Sequence, residues 1–239
     1  MAVPSAGVAW VNYVSGDVRD QLAHVGHDVV QAGLVVGSGG NLSARLPGED
    51  ACWVTAAGSW LDRLSRSSFT PVRVSDGAVQ AVSGGRAGGA LPTAPEPTSE
   101  LALHLATYRS RPDVNAIVHL HPQTVLLLDA LAERIRLVTT DHAFYLRRIA
   151  TVPFRLPGTV ELAALAAASA ADGTNCLVLS RHGCSVLADS VELAHKRARN
   201  LDEAARLTYQ ALVAGRLPTL GECPSEFLDR LSGPGDLTA

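Results

Sequence analysis

Apolar positions along the chain alternate between two periods. From Asp17 to Gly33, Val18, Leu22, Val25 and Val29 recur at helical spacing, which predicts a helix that stops at Gly33. "GSGGNLSARL" then reads as a glycine-rich turn leading into a strand. "ACWVTAAG" reads as a strand and turn, and "PVRVSDGAVQAV" as a hairpin turning at Asp76-Gly77. The stretch from Ser83 to Pro97 resembles a linker in composition. It is taken as a mobile surface loop, because the segments flanking it carry residues of one kind of chemistry.

Further on, "TSELALHLATYRSR" predicts a helix capped by Thr98 or Ser99 and stopped by Pro112. "VNAIVHLH" is a strand and "PQTVLLLDALAER" a helix. Glu161 to Ala171 is an alanine-rich helix of the soluble type. "NCLVLSRHGCSVLA" predicts two strands around a tight turn at Gly183. "SVELAHKRARNLDEAARLTYQALVAG" is a long amphipathic helix opened by Ser190 and closed near Gly215. Strands and helices mix without strict alternation, which indicates α/β or α+β layering. The expected organisation is a flexible segment 1–16, one domain over 17–215 and a C-terminal tail 216–239.

Composition narrows the class. The 239 residues are 47% hydrophobic, enough for a sizeable core, and the formal net charge is −3. No basic face suggests a nucleic-acid or membrane-surface partner. No apolar run approaches the roughly 20 residues of a spanning helix, and the N-terminus lacks the pattern of a signal peptide. Cys52, Cys176, Cys184 and Cys223 are scattered without CxxC spacing, so they read as reduced thiols of a cytoplasmic protein.

The chemistry-bearing residues are few. In "NAIVHLHPQ", His119 and His121 stand two apart on a strand and therefore share a face. They can be two ligands of one metal ion or a polar stripe. A catalytic zinc site takes three protein ligands, and His182, at a strand end beside Gly183, is the best third candidate. Three imidazoles suit Zn2+, with Mn2+, Co2+ or Fe2+ as substitutes. Glu100, at a helix start, reads either as a capping carboxylate or as a general acid/base. "GSGGNLS" and "TAAGS" offer backbone N–H groups with Ser38, Asn41, Ser43 and Ser59, a candidate anion nest or plain turn geometry. Thr98 and Ser99 can add hydroxyls. No GxSxG elbow occurs.

The order "GSGGNLS", "TAAG", "PTSE", "HLH", "RHG", followed by a helix ending "DEAARLTYQ", resembles the class II aldolase/adducin family over about Asp17 to Leu212. It is most similar to the L-fuculose-1-phosphate aldolase-like branch. The resemblance implies a three-layer α-β-α fold with a central, largely antiparallel mixed sheet. It also implies a homotetramer with active sites at subunit interfaces. It assigns the metal to His119, His121 and His182, the acid/base to Glu100, and phosphate binding to Ser38, Asn41, Ala57, Gly58, Thr98 and Ser99. Tyr209 is implied to reach a neighbouring subunit's site.

The implied activity is metal-dependent cleavage of a ketose 1-phosphate to dihydroxyacetone phosphate and an aldehyde. Related chemistries of the same fold are sugar-phosphate dehydration or decarboxylation, 4-epimerisation, and a non-catalytic adducin-like role. The chain departs from the aldolase pattern at Thr139 or Thr140, where an ungapped match expects a tyrosine; Tyr145 is displaced. Phe144 stands where the epimerase branch has a carboxylate, which argues against epimerisation. Arg147 and Arg148 read as a grip on a polar aldehyde or as solvated charges. Lys196, the only lysine, lies in a helix, and no Schiff base is expected.

Overall fold

The structure, a computed structural model, describes residues 15–81 and 94–231. The initial segment to residue 14, most of the loop expected over 83–97 and the last eight residues lie outside the described residues.

Among the described residues seven strands form one sheet: β1 (Asn41–Arg45), β2 (Ala51–Thr55), β3 (Phe69–Arg73), β4 (Ala116–Leu120), β5 (Ile149–Val152), β6 (Cys176–Leu179) and β7 (Gly183–Ala188). Their order is β3-β2-β1-β4-β7-β6-β5. Every pairing is antiparallel except β5 with β6. Pro71 lies in β3, an edge strand, where a missing N–H is tolerated.

Among the described residues seven α-helices flank the sheet: α1 (Val18–Gln31), α2 (Leu101–Ser110), α3 (Gln123–Ala130), α4 (Thr140–Leu146), α5 (Val160–Ala170), α6 (Val191–Val213) and α7 (Ser225–Leu231). Strand parity sorts the core into two halves. Leu42, Ala44, Ala116, Val118, Leu120, Cys184 and Val186 pack on one side with buried residues of α1, α3, α4 and α6. Ile117 and Leu187 pack on the other with Leu103 and Tyr108 of α2 and Leu162, Ala166 and Ala170 of α5. The result is the expected three-layer α-β-α arrangement. Each of Ile117, Val118 and Leu120 is fully buried, contributing about 1.5–3 kcal/mol.

Local chemistry explains most element ends. Asp17 caps α1 by accepting from the Arg19 N–H, and Ser190 caps α6 by accepting from Leu193. Gly33 and Gly215, just past α1 and α6, have positive φ.

Four local expectations are corrected. The residue preceding α2 is Glu100, whose side chain makes no cap; Thr98 Oγ1 accepts from the Glu100 N–H instead. The turn between β6 and β7 is Ser180–His182, with Arg181 at φ 62°, and Gly183 already pairs with Leu179. The hairpin at Asp76-Gly77 returns only as a single bridge between Val72 and Val79. Beyond Gly215 the chain carries α7, and Glu222 pairs with Arg134 and Arg136 while the Cys223 N–H donates to the Leu137 carbonyl. The four cysteines are buried thiols, and burial pushes Cys52 and Cys176 up to about 12. Among the described residues no helix is long and apolar enough to cross a membrane.

Candidate metal centre

β1 and β4 set the frame. Asn41 and His119 are Cα partners across the two strands, and Ser43 faces Ile117. Leu42 and Ala44 belong to the opposite side, so Asn41 and Ser43 look toward the face that α2 covers, as does His119. Glu100 enters from the start of α2 and His182 from the β6–β7 turn.

The four residues Glu100, His119, His121 and His182 converge, each with one ligand atom within 4.8 Å of the others. His119 Nε2 lies 3.0 Å from His121 Nε2 and 2.9 Å from Glu100 Oε2, and His182 Nε2 is 3.2 Å from Glu100 Oε1. The ring centroids are 4.9, 4.9 and 5.2 Å apart. His119 is fully buried and Glu100 is 6% exposed. Three imidazole nitrogens and one carboxylate oxygen within 4.8 Å of one another form a donor set that suits zinc or a similar divalent ion, so the residues present fit such a group.

Glycines permit this proximity. A Cβ on Gly183 would sit 2.4 Å from the Leu120 carbonyl oxygen and 2.5 Å from His121 Cδ2. On Gly40, at φ +77°, it would meet the His119 carbonyl oxygen at 2.7 Å. The glycine-rich turn thus has a steric requirement beyond its bend.

Electrostatics separates the groups. Burial raises the Glu100 pKa, but hydrogen bonding from His119 and His182 outweighs it and holds the carboxyl well below the usual range. Burial, reinforced by the neighbouring His119 and His182, lowers His121 to about 4.

Behind Glu100 runs a buried polar row. Asn41 Nδ2 donates to Glu100 Oε2 at 3.0 Å, and Asn41 Oδ1 lies 2.5 Å from His104 Nε2. His104 Nδ1 is 2.7 Å from Ser43 Oγ, which is 2.8 Å from the Tyr108 hydroxyl. His104 and Tyr108 are functional candidates that the sequence reading passed over. Their signal was spacing: Glu100, His104 and Tyr108 stand at i, i+4 and i+8 on one helical face. Ser43, grouped in sequence with the anion turn, is fully buried in this row instead.

The remaining expected site residues are dispersed around the cluster. Asn41 engages Glu100 and His104. Thr98 is buried, its N–H donating to the Thr55 carbonyl, so the 55–58 turn and the 97–99 segment lie side by side. The Ala57 N–H donates to the Glu96 carbonyl, while Ser38, Gly58 and Ser99 are exposed. The turn holding Ser38 abuts the site, since a Cβ on Gly39 would lie 2.9 Å from His121 Nδ1. Tyr209 packs against the α1/α6 side of the core, the side opposite the face on which His119 lies. Thr139 caps α4 by accepting from His142, and Thr140 is exposed. Arg148 is engaged by Thr174 and Asp172. A cavity of about 770 Å³, lined by Asp129, Arg134, Arg147 and Arg181 among others, includes none of the four converging residues.

The model for the class II aldolase and adducin N-terminal domain matches residues 20–209. An L-fuculose phosphate aldolase of Methanococcus vannielii is 32% identical over 175 residues, 73% of this chain and 86% of the relative. A 3-oxo-tetronate 4-phosphate decarboxylase of Escherichia coli is 30% identical over 220 residues, 90% of this chain and 92% of the relative. The crystal structure of YgbL from Escherichia coli superposes with a TM-score of 0.77 at 26% identity, covering 90% of this chain and 98% of that one. The chain belongs to the class II aldolase and adducin N-terminal domain family.

Proposed function

We propose that this protein is a zinc-dependent aldolase that cleaves a ketose 1-phosphate, of the L-fuculose or deoxy-pentulose type, into dihydroxyacetone phosphate and an aldehyde. The observation that carries this reading is the convergence of Glu100, His119, His121 and His182 within 4.8 Å in a chain of this family. The fuculose phosphate aldolase relative supports the substrate class.

In the proposed reaction His119, His121 and His182 hold the ion, with Mn2+, Co2+ or Fe2+ as alternatives. When bound, the metal supplies Lewis acidity to the substrate's C2 carbonyl. Ser38, Asn41, the Ala57–Gly58 turn, Thr98 and Ser99 receive the phosphate and orient the chain of the sugar. The C4 hydroxyl proton passes to the Glu100 carboxylate as the C3–C4 bond breaks, and the electron pair stays on C3 as an enediolate. Glu100 then delivers that proton to C3, completing dihydroxyacetone phosphate, and the same groups run the addition in reverse. Tyr209 serves the site of a neighbouring subunit in a homotetramer.

The test is a coupled assay for dihydroxyacetone phosphate across ketose 1-phosphates, with and without EDTA. Turnover that EDTA abolishes and zinc restores is expected. Zinc-loaded protein inactive on the whole panel overturns the aldolase reading.

A second reading, decarboxylation of a keto-acid phosphate, is favoured by Thr139 and Thr140 where aldolases of the resembled branch carry a tyrosine. The decarboxylase relative also spans more of the chain than the aldolase does. NMR of the products separates the two, because aldol cleavage leaves an aldehyde beside dihydroxyacetone phosphate, whereas decarboxylation releases carbon dioxide and no aldehyde.

A further inference from the structure

The buried row behind Glu100 has a direction. An ionised Glu100 Oε2 can only accept, and the Asn41 group 3.0 Å from it is the amide nitrogen. That places Asn41 Oδ1, an acceptor, 2.5 Å from His104 Nε2, which must therefore carry the ring proton. His104 is fully buried and its pKa is lowered to about 3, first by burial and then by the nearby His119, so the ring is neutral and Nδ1 is bare. Nδ1 must accept from the Ser43 hydroxyl at 2.7 Å. Ser43 Oγ, its proton committed, accepts from the Tyr108 hydroxyl at 2.8 Å. Every donor points toward the carboxylate, and no link can be reversed while Glu100 is ionised. Glu100 Oε2 is anchored. Oε1 lies outside the relay and faces His182 Nε2 at 3.2 Å.

We propose that Tyr108, Ser43, His104 and Asn41 form a one-way hydrogen-bond relay that positions Glu100, fixing Oε2 and reserving Oε1 for the proton exchanged with substrate. The inference rests on the proposed function, in which Glu100 is the acid/base beside the metal. His104 is a positioning residue that acts on Glu100 through Asn41. Its task is to present one N–H to Asn41 in a fixed place, which a glutamine amide can also do and a leucine cannot.

Two measurements test this. Long-range 15N correlation spectra of the metal-free wild type read the His104 tautomer, the signal being assigned by its loss in His104→Gln. The Nε2–H form is expected, and the Nδ1–H form overturns the relay. Zinc affinity is then measured by competition with a chromophoric chelator for the wild type, His104→Leu and His104→Gln. His104→Leu is expected to weaken zinc by about tenfold, the range for lost partners behind a metal site, with His104→Gln within about threefold of wild type. Equal impairment of both variants, or none in either, overturns the relay alone and leaves the aldolase reading standing. If His104→Leu does not fold, the tautomer and the His104→Gln affinity decide. A wild type that binds no zinc removes the proposed function, and the relay with it.

Discussion

Asn41 and His119 face each other across the β1–β4 ladder, and from that position the Asn41 amide reaches Glu100 at 3.0 Å. A metal-ligand candidate and the group that steadies the acid/base are thereby locked to one register of one strand pair. Replacing Asn41 with Leu removes the amide donor to the buried Glu100 carboxylate and leaves His104 Nε2 without its acceptor. We expect about 2 kcal/mol lower stability in the metal-free protein, in the range for an unpaired buried polar group, measured by urea unfolding. A change below about 0.5 kcal/mol would contradict the assignment.

His182 comes from a turn rather than from the strand that carries the other two imidazoles. His182→Ala should fold normally, because it alters a turn and breaks no strand pairing, yet lose zinc. A fall in affinity greater than the roughly 100-fold of outer changes is expected, with unchanged far-ultraviolet dichroism. Retention of one tightly held zinc per chain would remove His182 from the donor set.

Gly183 is the tightest point of the site. Gly183→Ala forces its methyl to within 2.4 Å of the Leu120 carbonyl oxygen. The expected loss is about 1–3 kcal/mol in denaturant unfolding, together with weaker zinc binding. Gly221→Ala, where nothing lies within 4 Å, is the neutral control.

Acid should destabilise the metal-free protein through His104. Its ordinary pKa of 6.5 falls to about 3 in the fold, so the unfolded chain binds a proton that the native state refuses. Stability is fully present above pH 6.5 and falls as pH drops from there toward 3, at up to about 1.4 kcal/mol per unit. His104→Gln should flatten the stability profile in that window by on the order of several kcal/mol. Parallel wild-type and variant profiles would count against a buried neutral ring.

Tyr209 lies apart from its own chain's cluster. If it serves a neighbour, Glu100→Gln and Tyr209→Phe chains, each impaired alone, should regain part of the activity when unfolded and refolded together. Mixed assemblies no more active than the separate variants would assign Tyr209 to the core it packs against.

Much of this was legible before any coordinates. The alternation in "AIVHLH" placed His119 and Leu120 on opposite faces, and Leu120 indeed packs with the α1/α6 half of the core. Ser190 and Gly215 bracketed α6 by simple cap chemistry. Other elements had no such signature. α4 is seven residues opened by Thr139 and His142, where a capping box normally carries Glu or Gln, and β5 is a four-residue parallel edge strand. Ser43 was placed with the turn because its partners, His104 and Tyr108, are more than sixty residues away. Glu100 occupies a cap position, and only the tertiary fold turns its carboxylate away from the helix and onto the histidines.

β4 carries two kinds of information in five residues. Its even-numbered side chains are hydrocarbon for one core, and His119 belongs to the other face. A slip of a single residue would drive an imidazole into the packed interior and swing Leu120 among the polar groups, so both errors would be punished at once. A one-residue deletion between Ala116 and His121 therefore cannot be absorbed. The exposed turn at residues 46–49 offers a place where length can vary. For anyone grafting this centre onto another sheet, the portable unit is the β1–β4 pair in its register together with the β6–β7 turn that brings His182.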